Sequence, residues 1–475
     1  NSNTHGLKWR LWDIQQASNG CGNITCPIVR QDLRQDVLMS DYSKSRKLHK
    51  GLYALPAFVL ALPTIPAFIL LPSFYAETMG LGLATVGAIF LGLRVLDVIS
   101  DPILGYASDH IPPRFGKRRL PMAIGALIGA PALVMLFSPE TGVTAGYLIG
   151  WGALLYLAWT AVQIPYVAWA VELEQGYAAR AQLNGYREGA GLLGIMATGA
   201  VGVVLVSFTE QDRFQIIAWI TVILGCGIFY ATLRFVPDGR PIFSDKSRTL
   251  SFPWNNKIFL RVLTAWFLNG LANGLPAVCL PLFMTHILAA SDTDQAVLLF
   301  IYFLSAVIGI QGWIWLSRLY TKHSVWCLSM VMACVVFLAV PFISTGDVFL
   351  FGIVCILTGL TLGSDLALPP AIQADCADWD RLRFRKERTG TLFAYWSMST
   401  KLALGLAVGI AFPVLAWFGL DDQTQMASDQ SKVALVVIYS VIPIVLKIMA
   451  IMLMRNFPIG PKQHLAINRR LESRS

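Results

Sequence analysis

Charge is what this sequence lacks most. Only 14% of its 475 residues are Asp, Glu, Lys or Arg, where an ordinary soluble domain carries about 25%. Together with 55% apolar residues and a mean hydropathy of +0.59, this excludes the usual soluble enzymes. Residues 1–50 hold no apolar h-region, so no secretory signal peptide is expected. Met39 opens MSDYSKSRKLHK just ahead of the first apolar run, and residues 1–38 are expected to be an upstream extension. A single basic patch is missing despite the net charge of +9, which argues against nucleic acid as a partner. Cys21 and Cys26 have only His5 nearby, too few ligands for a metal site. Cys226, Cys279, Cys327, Cys334 and Cys355 lie inside apolar runs, where cysteine acts as a small hydrophobe. His110, His286 and His323 stand isolated near segment ends. No nucleophile–base or metal constellation accompanies them, so an enzyme is not expected.

What the chain has is a series of long apolar runs, at about 52–76, 83–107, 119–138, 145–171, 187–208, 214–235, 258–288, 294–317, 325–344, 348–373, 390–417 and 433–454. At about 1.5 Å per helical residue each can cross a hydrocarbon core. The loops between them alternate in charge. One set carries Lys44, Arg46, Lys47 and Lys50, then Arg114, Lys117, Arg118 and Arg119, then Arg180 and Arg187, and continues so to Arg469, Arg470 and Arg474. The other set is poor in base and carries Glu77, Glu140, Glu210, Asp292, Asp347 and Asp421. The positive-inside rule puts the basic set, and with it both termini, in the cytoplasm of an inner-membrane protein. The expected organisation is a cytoplasmic segment 1–50, a six-helix bundle 51–236, a central cytoplasmic loop 237–256, a second six-helix bundle 257–456 and a cytoplasmic tail 457–475. Two such halves are the layout of parallel-repeat transporters, whose solute sits between them.

Ionisable groups at membrane depth are costly and usually line a cavity or meet a partner. Arg94, Asp97 and Asp101 in the second run are spaced i, i+3, i+7, which places them on one helical face. Two acids one turn apart repel unless a cation sits between them or one is protonated. The bland alternative is an internal salt bridge to Arg94, but one arginine does not neutralise two acids. Lys401 has no acid within a turn, so its partner is expected across the bundle, at Asp97 or Asp101, with snorkelling as the alternative. Asp365 is a second isolated acid, a candidate for solute or proton handling. Glu188 suits either the solute or a gate. Lys447 is expected to snorkel to an interface. Gln163 and Trp396 offer hydrogen bonding and ring stacking to a sugar. Pro56, Pro63, Pro66 and Pro72 interrupt the first helix, which predicts kinks and freed carbonyls that neighbours must satisfy.

The stretch LGLRVLDVISDPILGYASDHIPPRFGKRR at residues 91–119 resembles the signature of the glycoside–pentoside–hexuronide:cation symporters, the family of the melibiose permease, within the major facilitator superfamily. Ile164-Pro165-Tyr166, Ala374-Asp375 and the lysine at 401 support the resemblance over about residues 45–470. It implies an all-α membrane protein with the major facilitator superfamily fold, twelve transmembrane helices in two six-helix halves. It implies Asp97 and Asp101 as cation ligands, with Arg94 and Lys401 linked to that site. It also implies a gating charge network at Asp109, Arg114, Arg118, Asp375, Asp378 and Arg381, the last three in the loop after helix ten. The melibiose permease holds its sugar with carboxylates in helices one and four. Here no acid occurs from Gly51 to Ala76, and the helix-four position reads Gln163.

The function expected is therefore symport of Na⁺ or H⁺ with a glycoside-like solute, an acidic sugar being favoured by Lys401, Arg94 and Arg187. The expected solute contacts are Gln163, Tyr166, Glu188, Asp365, Trp396 and Lys401. The partners are that solute and membrane lipid, the chain is expected to be a monomer, and no cofactor beyond the coupling ion is implied. A cation-dependent lysophospholipid transporter is the alternative within transport. A membrane enzyme or a receptor keeping the fold are the alternatives outside it.

Overall fold

The computed structural model describes residues 49–112, 116, 118–173, 177–237, 254–384, 389–420 and 428–472. The expected extension 1–38, most of the central loop, Arg114, the side chain of Asp109 and the cysteines at 21 and 26 lie outside the described residues. Two compact units are distinguished, Asn1–Tyr53 and Ala54–Ser475. Of the first, only the helical residues 49–53 are described; the contacts below belong to the second.

Among the described residues all regular secondary structure is helical. In order the helices are α1 (His49–Thr78), α2 (Leu83–His110), α3 (Arg119–Phe137), α4 (Ala145–Leu173), α5 (Tyr177–Val204), α6 (Glu210–Phe235), α7 (Lys257–His286), α8 (Asp292–Leu319), α9 (Lys322–Phe337), α10 (Val348–Phe384) and α11 (Thr389–Trp417). Then come α12 (Asp429–Met454) and a short amphipathic α13 (Pro461–Glu472). Eleven of them are long and apolar enough to cross a membrane. Their starts are written in local chemistry. Thr209, Ser291, Thr321 and Ser428 each accept a hydrogen bond from the backbone N–H three residues on. At α8 Asp294 completes a capping box with Ser291, which satisfies donors that the helix itself leaves open.

Two apolar runs misjudged their helices. The run expected at 187–208 is α5, which begins earlier, at Tyr177, and is the one helix of α1–α12 outside the eleven. Its composition explains both differences: Gln182, Asn184, Arg187 and Glu188 precede a stretch rich in glycine and alanine. Small residues lower hydropathy but permit close approach. A Cβ on Gly194 would lie 2.3 Å from the Phe58 carbonyl oxygen of α1, and one on Gly199 would lie 3.2 Å from the Phe300 ring of α8. The run expected at 348–373 continues as α10 through Asp375, Asp378 and Arg381 to Phe384. Those three residues are therefore helical rather than in a loop, because nothing breaks the helix where the apolar run gives way to charge.

Within each half the helices pack by the same device. A Cβ on Gly359 would meet the Tyr302 carbonyl oxygen at 2.3 Å, and one on Gly363 would meet that of Ala306 at 2.4 Å, so α8 and α10 touch backbone to backbone. Between the halves, α2 packs on α11 and α5 on α8. On α11, a Cβ on Gly405 would lie 2.6 Å from Arg94 Cβ, and one on Gly409 would lie 2.8 Å from Leu91 Cδ2.

The prolines of α1 change its winding instead of ending it. Residues Pro66–Leu70 and Phe74–Thr78 are π-helical. Pro66 has no N–H to offer the Leu62 carbonyl one turn back. Thr198 of α5 fills that vacancy, its hydroxyl donating to Leu62 O at 2.7 Å. Thr198→Val should leave a buried carbonyl unpaired and cost about 1–2 kcal/mol. A lowered thermal midpoint in detergent for Val, but not for Ser, is the expected result; equal midpoints would remove this account of the carbonyl's pairing.

Candidate functional site

The spacing of Asp97 and Asp101 aims both carboxylates at one neighbour, and that neighbour is α11. Lys401 Nζ donates to Asp97 Oδ1 at 2.9 Å and to Asp101 Oδ2 at 2.7 Å. The approach is possible because Gly405, one turn along the same face of α11, presents no side chain to Arg94. Thr160 of α4 closes a third side, its hydroxyl lying 2.9 Å from Asp97 Oδ1 and 3.2 Å from Asp101 Oδ1. Arg94 Nη1 lies 3.5 Å from Asp97 Oδ2. Its guanidinium stands 4.2 Å over the Phe68 ring of α1 and 5.1 Å from the centre of the Tyr156 ring, a cation–π arrangement suited to a desolvated arginine.

The cluster thus holds two acids and two bases, drawn from both halves. Asp97 is buried, while Asp101 and Lys401 are partly open, with 26% and 22% of their side chains exposed. Thr160 is absent from the expectations above. Its signal in the sequence was faint: it lies one turn before Gln163 on α4, and a threonine in an apolar helix is unremarkable until an acid is seen opposite it.

The remaining candidates divide into three groups. Gln163 is exposed on α4. Tyr166 is buried instead, and its hydroxyl donates to the Ala54 carbonyl at 3.4 Å, which makes it part of the α1–α4 packing. Glu188 is 74% exposed and pairs with its neighbour Arg187 at 2.6 Å. Trp396 is buried with its ring stacked on Trp266, centroids 4.6 Å apart, so one face is already taken. Asp365 is buried in the second half, accepting from Trp326 Nε1 at 2.7 Å and from Asn273 Nδ2 at 2.7 Å. Lys447 does not snorkel. It is 2% exposed and donates to the side-chain oxygens of Asn269 and Asn273; a helix position facing the bundle, with two amides in reach, holds the ammonium more cheaply than a stretch to the interface.

The gating candidates lie at the basic-loop end. Arg118 donates twice to Glu172 Oε1, at 3.0 and 2.7 Å, and once to Ser108 Oγ at 3.1 Å, tying the ends of α2 and α4. Lys322 pairs with Asp375 at 2.7 Å, and His464 of α13 lies 3.3 Å from Asp375 and 3.6 Å from Asp378. Arg381 is exposed on the last turn of α10. Each of these pairs joins elements of one half. At the acidic-loop end the pairs cross between halves: His286 of α7 meets Glu77 of α1 at 2.7 Å, and Arg213 of α6 meets Asp292 of α8.

Residues 52–461 match the model of a family described as MFS/sugar transport protein. An uncharacterized symporter of Synechocystis is 28% identical over 233 residues, 44% of this chain and 42% of that one. The inner membrane symporter YicJ of Escherichia coli is 22% identical over 396 residues, covering 81% of this chain and 85% of that one. The human sodium-dependent lysophosphatidylcholine symporter 1 is 22% identical over 419 residues, 79% and 76% of the two chains. Among solved structures, that of a D-xylose-proton symporter superposes with a TM-score of 0.65 at 14% identity, over 89% of this chain and 99% of that one. The fold is thus that of the major facilitator transporters.

The Arg118–Glu172 pair gives a test of the local chemistry. Arg118→Met should cost about 3–5 kcal/mol by leaving the Glu172 carboxylate buried without its partner. Arg118→Met/Glu172→Leu should recover most of that loss. Thermal unfolding of the three proteins decides, and a double variant no better than the single would show that the pair is not the cause.

Proposed function

Because the chain belongs to the MFS/sugar transport protein family, we propose that it is a secondary active symporter. In this reading it couples entry of Na⁺ or H⁺ to uptake of a glycoside-like solute by alternating access. The observation that carries the proposal is Lys401, whose ammonium bridges Asp97 and Asp101 across the two halves. A positive group already sits where two carboxylates and a hydroxyl converge, and hard oxygen ligands of this kind suit an alkali cation. A cation arriving at Asp97, Asp101 and Thr160 competes with Lys401. It thereby releases a contact between α2 and α11, and the released ammonium is free to meet the solute. A proton on Asp101 would weaken the same bridge. Binding at the site and movement of the halves are in this way one event.

The solute is read as a glycoside on the strength of the family and of the hydrogen-bonding groups on α4. The membrane is read as the bacterial inner membrane, with the basic loops and both termini in the cytoplasm. In that orientation the pairs Glu77–His286 and Arg213–Asp292 join the two halves at the outer end. A lysophospholipid is the second reading, supported by the similarity to the human symporter over most of both chains.

Two predictions follow from these assignments. Apparent stability of the purified protein should rise when its solute is added in Na⁺, or at lower pH if H⁺ couples. Linkage gives about 2.7 kcal/mol at a hundredfold excess over Kd. In Asp97→Asn the cation dependence should be lost. Glycosides, hexuronides and lysophospholipids form the panel; stabilisation by lysophospholipids alone moves the protein to the second reading, and a cation dependence that survives in Asp97→Asn removes the assigned site. Separately, Glu77→Gln/Asp292→Asn should loosen the outer end and speed labelling of a cysteine introduced at Ile69 by an impermeant maleimide added outside. An unchanged labelling rate would deny those pairs a closing role.

A further inference from the structure

The second half contains a buried charge that the cation site does not use. Lys447 of α12 is 2% exposed, and its ammonium donates to Asn269 Oδ1 at 2.9 Å and Asn273 Oδ1 at 2.7 Å. Both acceptors are neutral amides. The ammonium has three hydrogens, and the third has no partner among the described residues. No carboxylate lies within ion-pair distance of it among those residues. Asp365 is one amide further away, and both of its oxygens are engaged, by Trp326 Nε1 and Asn273 Nδ2. The Nδ2 of Asn269 is itself buried without a partner among the described residues.

Beside this ammonium is a cavity between α1 and α7, α8, α9, α10 and α12. Lys447, Asn273, Tyr302 and Tyr439 give it a polar side, and Ile69 belongs to its apolar wall. Neither tyrosine hydroxyl has a hydrogen-bond partner among the described residues. The threonine hydroxyls of α10 that also line it donate to their own helix. No acid lines the cavity. About 40 Å³ is open to the centre of a water molecule, room for roughly three waters, or for one small anion and a water.

We propose that this cavity is an anion site, in which Lys447, Tyr302 and Tyr439 hold a small monoanion. A buried ammonium whose direct contacts are all neutral is costly; the Asp365 carboxylate beyond Asn273 offsets that cost from a distance, and an anion at the third hydrogen supplies a counter-charge in direct contact. Tyr302 and Tyr439 both line this space and carry hydroxyls able to donate to that anion, while no acid lines it and the oxygens of Asp365 are engaged by Trp326 and Asn273. The anion is either free chloride or a carboxylate carried on the solute. The second source rests on the symporter reading above; the first does not.

Thermal unfolding of the full chain in detergent separates the cases. Chloride is titrated against methanesulfonate at constant Na⁺ and ionic strength, and glucuronate is compared with methyl glucoside. A saturable rise of the midpoint with chloride, absent in Lys447→Met, assigns the site to a free anion. A rise with glucuronate but not methyl glucoside, again absent in Lys447→Met, assigns it to a solute carboxylate. Should Lys447→Met fail to fold, Tyr302→Phe/Tyr439→Phe takes its place, with a half-saturation at least tenfold higher expected. No response to either anion, or the same response in the variant as in the wild-type protein, overturns the proposal. Asp97→Asn beside them keeps the two readings apart: it should lose the cation dependence and keep the chloride response.

Discussion

A charge inside a bilayer has no water to solvate it, and the arrangement of α2, α4 and α11 follows from that cost. Asp97 and Asp101 cannot both stay ionised at one turn's spacing without positive charge close by. Arg94 supplies one such charge from the same helix and Lys401 the other from the opposite half. In the symporter proposed, a pair of acids balanced partly across the contact between the halves is what would couple the ion to their movement. Whatever separates α2 from α11 must first find another positive charge for the acids.

Close approach of backbones makes that balance possible. Lysine is long, but one ammonium reaches two carboxylates on the facing helix only if the helices nearly touch, and Gly405 and Gly409 provide the contact with Arg94 and Leu91. Gly359 and Gly363 do the same for α10 against α8. In lipid, where burial of apolar surface favours no helix pair over another, such small-residue contacts and a few polar bonds decide the packing. The bond from Thr198 to the carbonyl that Pro66 leaves open is of this kind. It lets α1 change its winding at Pro66 while the Leu62 carbonyl keeps a donor.

Much of the fold was legible because membrane helices announce themselves by length and loop charge, two properties that need no tertiary information. The limits of that reading are physical too. The first turns of α5 went unread because Gln182, Asn184, Arg187 and Glu188 hide the start of a helix whose later part was expected at 187–208. The end of α10 hid because a helix continues into polar sequence wherever nothing stops it, so Asp375, Asp378 and Arg381 are on a helix. Asp97, Asp101 and Arg94 could be grouped in advance because they share one helix face. Thr160 could not, since a lone threonine means nothing until its neighbour is known.

The sequence by itself determined the class of protein, the order of its twelve long helices, and the presence of charges that a membrane does not tolerate unpaired. These depend on local composition and on the 3.6-residue period of the helix. Only the tertiary structure decided who pairs with whom. Lys401 bridges both acids, Asp365 is held by Trp326 and Asn273, Tyr166 and Trp396 are largely spent on packing, and Lys447 is buried where an interfacial position was expected. Such pairings join residues up to 304 positions apart. Their energies depend on distance and burial, which no stretch of chain encodes until the helices have packed.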